Sequence, residues 1–258
     1  MDDAELERYS RHVLLPEINI AGQERLGAAS VLVVGAGGLG CPAAMYLASS
    51  GVGTITIYDN DNVDLGNLQR QILYRTDDIG KDKTSTAAAA LRAINPLVDV
   101  NAVAERLTAS AMRTAVKNHD AVIDASDNFE TRFALNTACV AENVPLVSGA
   151  AIGLRGQASV FRLDNDDSPC LQCLYPATQG VQETGDCSAN GVFAPLTGII
   201  GSVLAAETIK LLTGFGAGLD GRLLLLDAAS MTIRYANLSK DPACPVCSKG
   251  RGTLRAGT

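Results

Sequence analysis

The sequence predicts an α/β chain built on a doubly wound sheet, parallel in its first half and extended by antiparallel strands in its second. Three observations predict it. Short Val/Ile/Leu runs alternate with helix-length segments up to Gly149, the pattern of buried parallel strands joined by crossover helices. The first run enters a glycine turn, Gly35-Ala-Gly-Gly-Leu-Gly40, of the kind that opens the helix of a βαβ unit. Beyond Gly149 the runs are joined by tight turns, which only antiparallel strands accept.

The elements follow in order. Ser30–Val34 reads as a strand, Leu39–Ser50 as a helix and Thr54–Tyr58 as a strand. Lys83–Ile94 is an Ala-rich helix, Val98–Val103 a strand and Ala109–Val116 a short helix. Asp120–Ala125 is a strand, Phe129–Glu142 a helix and Pro145–Ser148 a strand. In the second half Gln157–Leu163, Arg222–Asp227 and Thr232–Leu238 read as strands, with a long helix over 196–212 and a loop-rich insertion from Asp164 to Val192. No Pro/Ser linker or internal repeat interrupts the chain, so residues 1–258 are expected to form one domain. Its first half spans about 1–149 and its second about 150–248.

Composition narrows the function. The 258 residues are 47% apolar with a formal charge of −7 and no Lys/Arg-rich run, which excludes the electrostatic footprint of a nucleic-acid binder. The acidic start, Met1 to Glu7, lacks the apolar core of a secretory signal. The segment Pro195–Leu212 is apolar but carries Glu207 and Lys210, and reads as a buried helix rather than a membrane span. The expectation is a soluble cytoplasmic protein that binds neither membrane nor nucleic acid.

The glycine turn lets backbone N–H groups of Gly35, Gly37, Gly38 and Gly40 approach phosphate oxygens at a helix N-terminus. Asp59, ending the second strand, is placed to accept hydrogen bonds from ribose hydroxyls. That cradle suits NAD as well as ATP. An NAD-dependent oxidoreductase needs a group that moves a proton, and the chain has only His12 and His119 and no Tyr with Lys four residues on. What favours ATP is Asn67-Leu-Gln-Arg-Gln71 followed by Lys83: Arg70 and Lys83 add two cations beside phosphates that the glycines already hold. A triphosphate attacked at its α-phosphorus uses them, because charge builds on the departing pyrophosphate. Asp127 follows the fourth strand, where it either supports magnesium or serves as a plain helix N-cap.

Seven cysteines in a chain read as cytoplasmic suggest metal before disulfides. Cys170-Leu-Gln-Cys173 and Cys244-Pro-Val-Cys247 are two Cys-x-x-Cys pairs with 70 residues between them. Together they offer four thiolates to one tetrahedral structural zinc, which would pin the C-terminal segment to the insertion. Cys187 lies in a polar, glycine-flanked stretch where a thiol is free to react, while Cys41 and Cys139 fall in helices as small core residues.

Arg8-Tyr-Ser-Arg11, the glycine turn, Asp59, Asn67–Gln71, Lys83, Asp127-Asn128 and the paired cysteines, in this order, resemble the HesA/MoeB/ThiF family of ubiquitin-activating-type adenylyltransferases. The likeness runs over about residues 8 to 247 and is nearest to the molybdopterin-synthase and thiamine-pathway members. It implies a Rossmann-like fold and ATP-dependent adenylylation of the C-terminal glycine of a small ubiquitin-like sulfur-carrier protein ending in Gly-Gly. It further implies that Gly38, Asp59 and Gly66, Asn67, Leu68, Gln69 and Arg70 hold ATP, together with Asn128. The resemblance likewise implies that Arg70 and Lys83 contact phosphates, that Asp127 supports magnesium, and that Arg11 reaches across a homodimer into the partner's site. Cys187 is either a covalent acceptor, as in the thiamine branch, or a bystander, as in the molybdopterin branch. With 11 residues after Cys247, sulfur is expected from a separate sulfurtransferase. Ser148–Ile152 looks more like the molybdopterin branch, Tyr9-Ser-Arg and Cys173–Pro176 more like the thiamine branch. A non-catalytic scaffold of the same family would be marked by loss of Arg70, Lys83 or Asp127, and all three are present.

Overall fold

The central strands of the first half present apolar side chains to both sides, and both rows are buried. The computed structural model of the chain describes residues 1–176 and 191–248. Eight strands form one sheet in the order β3-β2-β1-β4-β5-β6-β7-β8: β1 (Ser30–Val34), β2 (Thr54–Tyr58), β3 (Asp99–Val103), β4 (Ala121–Asp124), β5 (Leu146–Ile152), β6 (Arg155–Phe161), β7 (Arg222–Asp227) and β8 (Thr232–Asn237). The first five pair in parallel, and β5–β6, β6–β7 and β7–β8 pair antiparallel.

Alternation along β1 sorts the two cores. Val31 and Val33 face a core shared with α4 (Gly40–Ser49), α5 (Lys83–Ile94) and α9 (Ala194–Thr213). Leu32 and Val34 face the other core, built with α6 (Ala109–Lys117), α7 (Phe129–Glu142) and the short helix α8 (Leu171–Leu174). The α9 helix is long and apolar enough to cross a membrane. It packs against α4, β5 and β6, and its Leu196, Ile200 and Leu204 are buried in the first core.

The elements expected from sequence are present, most within one or two residues. Three differences have physical causes. The N-terminal stretch forms α1 (Asp3–Arg8), α2 (Ser10–Val13) and α3 (Asn19–Ala28). The first is closed by a capping box between Asp2 and Glu5, and Tyr9 is buried against Gly51 with its hydroxyl accepting from Asn95 Nδ2 at 2.9 Å. Second, β5 runs on past Ser148 to Ile152; the small residues Gly149 to Ala151 that resemble a turn are what lets α9 lie against the sheet. A Cβ on Gly149 would stand 3.0 Å from Leu204. Third, β6 sits two residues earlier than expected, at Arg155–Phe161, in register with the longer β5. The parallel-to-antiparallel change therefore falls on the two edges of one strand, β5.

Candidate functional site: a nucleotide cradle and a four-cysteine cluster

Strand order reverses direction at β1, whose neighbours are β2 on one side and β4 on the other. The crevice outside their carboxyl ends is where open α/β sheets take ligands, and it collects the exits of all three strands. At the β1 exit Gly35 adopts φ +99°, and a Cβ there would sit 2.6 Å from the Ala125 carbonyl oxygen. A Cβ on Gly40 would stand 1.9 Å from the Gly35 carbonyl oxygen, so the turn closes only with glycine at both positions. Three side chains back the turn. Tyr74 donates its hydroxyl to the Ala36 carbonyl at 2.7 Å. Asp59 accepts from Ala36 N–H at 2.7 Å with Oδ2 and from Asp61 N–H at 2.9 Å with Oδ1. Cys41, beneath the turn, has its thiol pushed up to about 12 by burial, so it is a packing group and not a nucleophile.

Asp59 thus fixes the turn and keeps further carboxylate lone pairs for hydroxyls. Asp64 accepts from Gly66 N–H at 2.8 Å and shapes the tight turn Leu65–Asn67. From there Arg70 returns to the cradle: its aliphatic stem would lie 3.3 Å from a Cβ on Gly38, and its Nη1 donates to the Gly66 carbonyl at 3.1 Å. Lys83 opens α5 with a buried stem, 6% exposed, and pairs at 2.8 Å with Asp61, which is 62% exposed. Beside them the buried Gln71 Oε1 has no hydrogen-bond partner among the described residues, and Gln71 Nε2 lies 3.7 Å from where a Cβ on Gly37 would stand. An orphaned acceptor beside an open glycine backbone is what a polar ligand would complete.

Asn128 accepts from Thr131 N–H at 2.9 Å and is the N-cap of α7. Asp127 is therefore not the cap. It is exposed at the β4 exit, touched by Asn128 Nδ2 at 3.3 Å. An exposed carboxylate at that strand exit is of the kind that suits magnesium, which binds through one or two carboxylates and phosphate oxygens. The crevice thus brings together the glycine turn, Asp59, Gly66–Arg70, Lys83 and Asp127. It does not bring in Arg11, which is exposed on α2. Both histidines lie outside it: His12 bonds Gln23 at 3.2 Å, and His119, at the amino end of β4, bonds the Ala115 carbonyl at 2.6 Å and Thr56 at 2.9 Å. Sequence reading missed Asp61, Tyr74 and Thr197, whose Cβ would be 3.2 Å from one on Gly38.

The paired cysteines converge behind the sheet, in the core with α7. The Sγ atoms of Cys170, Cys173, Cys244 and Cys247 all lie within 4.8 Å of one another, with separations of 3.9 Å for Cys170–Cys173, 3.7 Å for Cys170–Cys244 and 3.5 Å for Cys173–Cys247. A tetrahedral zinc with Zn–S of about 2.3 Å sets its sulfurs about 3.8 Å apart, so the donor set fits zinc. The Cys173 thiol is drawn down, chiefly by its hydrogen bond from Cys170, and Asp241 N–H also donates to it at 3.4 Å. Asn136 on α7 holds the knuckle, accepting from Leu171 N–H at 2.9 Å and donating to Cys170 Sγ at 3.6 Å. Cys139 is buried, its thiol shifted upward by desolvation. Cys187 lies outside the described residues.

The chain is similar to known proteins over nearly its whole length. The SAMP-activating enzyme E1 of Haloferax volcanii is 44% identical over 250 residues, 97% of this chain and 92% of that protein. The sulfur carrier protein adenylyltransferase of Thermus thermophilus is 44% identical over 246 residues, 94% of this chain and 91% of that protein. The adenylyltransferase and sulfurtransferase MOCS3-1 of Zea mays is also 44% identical over 94% of this chain, which spans 52% of the maize protein. Among solved structures, the microcin C7 biosynthetic enzyme MccB in complex with N-formylated MccA has a TM-score of 0.83 at 25% identity, covering 93% of this chain and 74% of that one. E. coli MccB with ATP has a TM-score of 0.82 at 24% identity, covering 93% and 74%, and shares the fold. The ThiF family profile matches residues 9–246, and the chain belongs to the ThiF family.

Proposed function

We propose that the chain is an ATP-dependent nucleotidyltransferase. It adenylylates the C-terminal glycine carboxylate of a small ubiquitin-like sulfur-carrier protein, giving carrier-glycyl-AMP and pyrophosphate. The observation that carries this is the composition of the crevice: a phosphate turn, a ribose acid, two cations and an exposed carboxylate, with both histidines elsewhere. A carboxylate ionised at neutral pH is already a nucleophile, so attack on the α-phosphorus needs no base. The catalytic contribution is alignment and charge stabilisation. The Gly35–Gly40 N–H groups and Asp59 hold the nucleotide, and Arg70 and Lys83 face the phosphates. Magnesium at Asp127 would neutralise charge on the departing pyrophosphate. Lys83 exchanges Asp61 for phosphate when ATP enters. Both histidines, the first candidates for proton transfer alongside a hydride, lie away from the crevice, which disfavours the NAD reading.

Relatives named for sulfur-carrier adenylylation at 44% identity support the substrate class. Within it, a molybdopterin-synthase small-subunit type of carrier is the first candidate, since relatives of the MOCS3 type match the whole domain. A thiamine-type carrier is the alternative. In this reading residues 1–258 act as one cytoplasmic unit, with nucleotide handling in about 1–149, carrier and zinc in about 150–248, and a separate sulfurtransferase downstream. The test is exchange of labelled pyrophosphate into ATP with each recombinant carrier type. Exchange that depends on a carrier ending in Gly-Gly, with AMP as the nucleotide product, is expected. Release of ADP with a cognate carrier would place the attack on the wrong phosphorus and end the assignment.

The same reading makes the enzyme a homodimer completed in trans. Arg11 lies outside its own chain's crevice, on a segment anchored by Tyr9. Mixing Arg11→Ala with Lys83→Ala protein should restore about a quarter of wild-type exchange, because random reassortment builds one intact site in each mixed dimer. No recovery from heterodimers shown to form would mean that Arg11 does not act in trans.

A further inference from the structure

The β4 exit is gripped from below by a buried charge pair that touches no ligand position. Asp124, the last residue of β4, is fully buried. It accepts from Ser126 Oγ at 2.6 Å, Ser126 N–H at 3.1 Å and Ser148 Oγ at 2.6 Å. Arg132, one turn into α7 and 7% exposed, stands 3.9 Å from it through Nε. The far end of the guanidinium is spent on backbone: Nη2 donates to the Ser126 carbonyl at 2.6 Å and to the Gly149 carbonyl at 2.9 Å. One residue thus ties the β4 exit to β5.

We infer that Arg132 is a positioning residue for Asp127, the acid that the proposed reaction places beside magnesium and ATP; the inference rests on that reading. Ser126 immediately precedes Asp127, so holding the Ser126 carbonyl fixes the peptide plane that enters Asp127. On the other side Asn128 is fixed as the α7 cap. The Asp127 carboxylate itself has one contact among the described residues, at 3.3 Å to Asn128 Nδ2, so its direction is inherited from the backbone between these two anchors. The grip also bears on the nucleotide turn, because the Ala125 carbonyl packs against Gly35. Stability alone is a weak reason for such a pair, since an apolar pair of similar volume commonly serves a core as well. Lysine, one bond shorter and with its donors on a single nitrogen, cannot face Asp124 with one atom and hold both carbonyls with another.

The test is calorimetric ATP affinity with and without magnesium, together with thermal melting, on the full chain. The readout is the ratio of the two affinities. Asp127→Ala should abolish the magnesium enhancement. Arg132→Lys, which keeps the cation for Asp124, should melt close to wild type and lower the enhancement about tenfold, and in the Asp127→Ala background it should lower it no further, as expected for coupled residues. Ser148→Ala, which spares both carbonyl contacts, should keep the ratio. If Arg132→Lys fails to fold, the charge-free pair Asp124→Asn with Arg132→Gln carries the same measurement, and the same loss is expected. A purely structural role would lower both affinities and the melting temperature together with the ratio unchanged, and that result overturns the inference. An unchanged ratio in Asp127→Ala would instead remove the magnesium role of Asp127, and this proposal with it.

Discussion

Asp127→Ala is expected to lower carrier-dependent pyrophosphate exchange by about 10²–10³-fold, the range for losing one preorganised electrostatic contact at a reacting centre. The melting temperature should barely move. Asp127 is exposed and leaves the helix cap to Asn128, and surface substitutions away from caps and networks stay within about 0.5 kcal/mol. Activity and stability are therefore expected to separate cleanly here. Lys83→Ala should lose exchange as well, but it removes a buried stem from the first turn of α5 and so should also soften the fold. Exchange at wild-type rate in Asp127→Ala would remove this acid from the site.

The second large effect concerns the cysteines. Purified protein should hold about one zinc per chain, as four thiolates and one tetrahedral ion require. Cys173→Ala should lose most of it. The bridging contacts Cys170–Cys244 and Cys173–Cys247 each link residues 74 apart. Closing a loop of that length removes about 4–5 kcal/mol of chain entropy from the unfolded state. At about 2–4 °C per kcal/mol for a chain of this size, losing the clamp should lower the melting temperature by roughly 10–15 °C. Chelation of the wild-type protein should give the same shift and reverse on adding zinc. Full zinc occupancy in Cys173→Ala would sink the four-sulfur assignment.

Much of this was legible in the sequence because its causes are local. Buried β-branched runs fix β1 and β2 to the residue, and the glycine turn between strand and helix sets where phosphates go. Paired Cys-x-x-Cys spacing carried the cluster despite the long gap. What sequence reading lost was non-local. The first two N-terminal helices are too short for an apolar period and are held by tertiary contacts such as Tyr9 on Gly51. The sequence ends β5 at Ser148, four residues early, because the small residues that follow answer to a helix far along the chain. In the site, sequence leaves Asp127 between magnesium support and a plain helix cap, and only backbone geometry gives the cap to Asn128. Asp61, Thr197 and Arg132 gave no signal, since each matters through a partner distant in sequence.

β5 carries a parallel ladder to β4 on one edge and an antiparallel ladder to β6 on the other. A swing of the nucleotide half against the rest would have to tear one of these ladders, hydrogen bond by hydrogen bond. The two halves should therefore open only together, as one cooperative unit in amide exchange, with β4, β5 and β6 protected at the free energy of global unfolding. Any message between the carboxylate's entry side and the triphosphate must then pass as small shear within a continuous sheet rather than as the closing of two jaws.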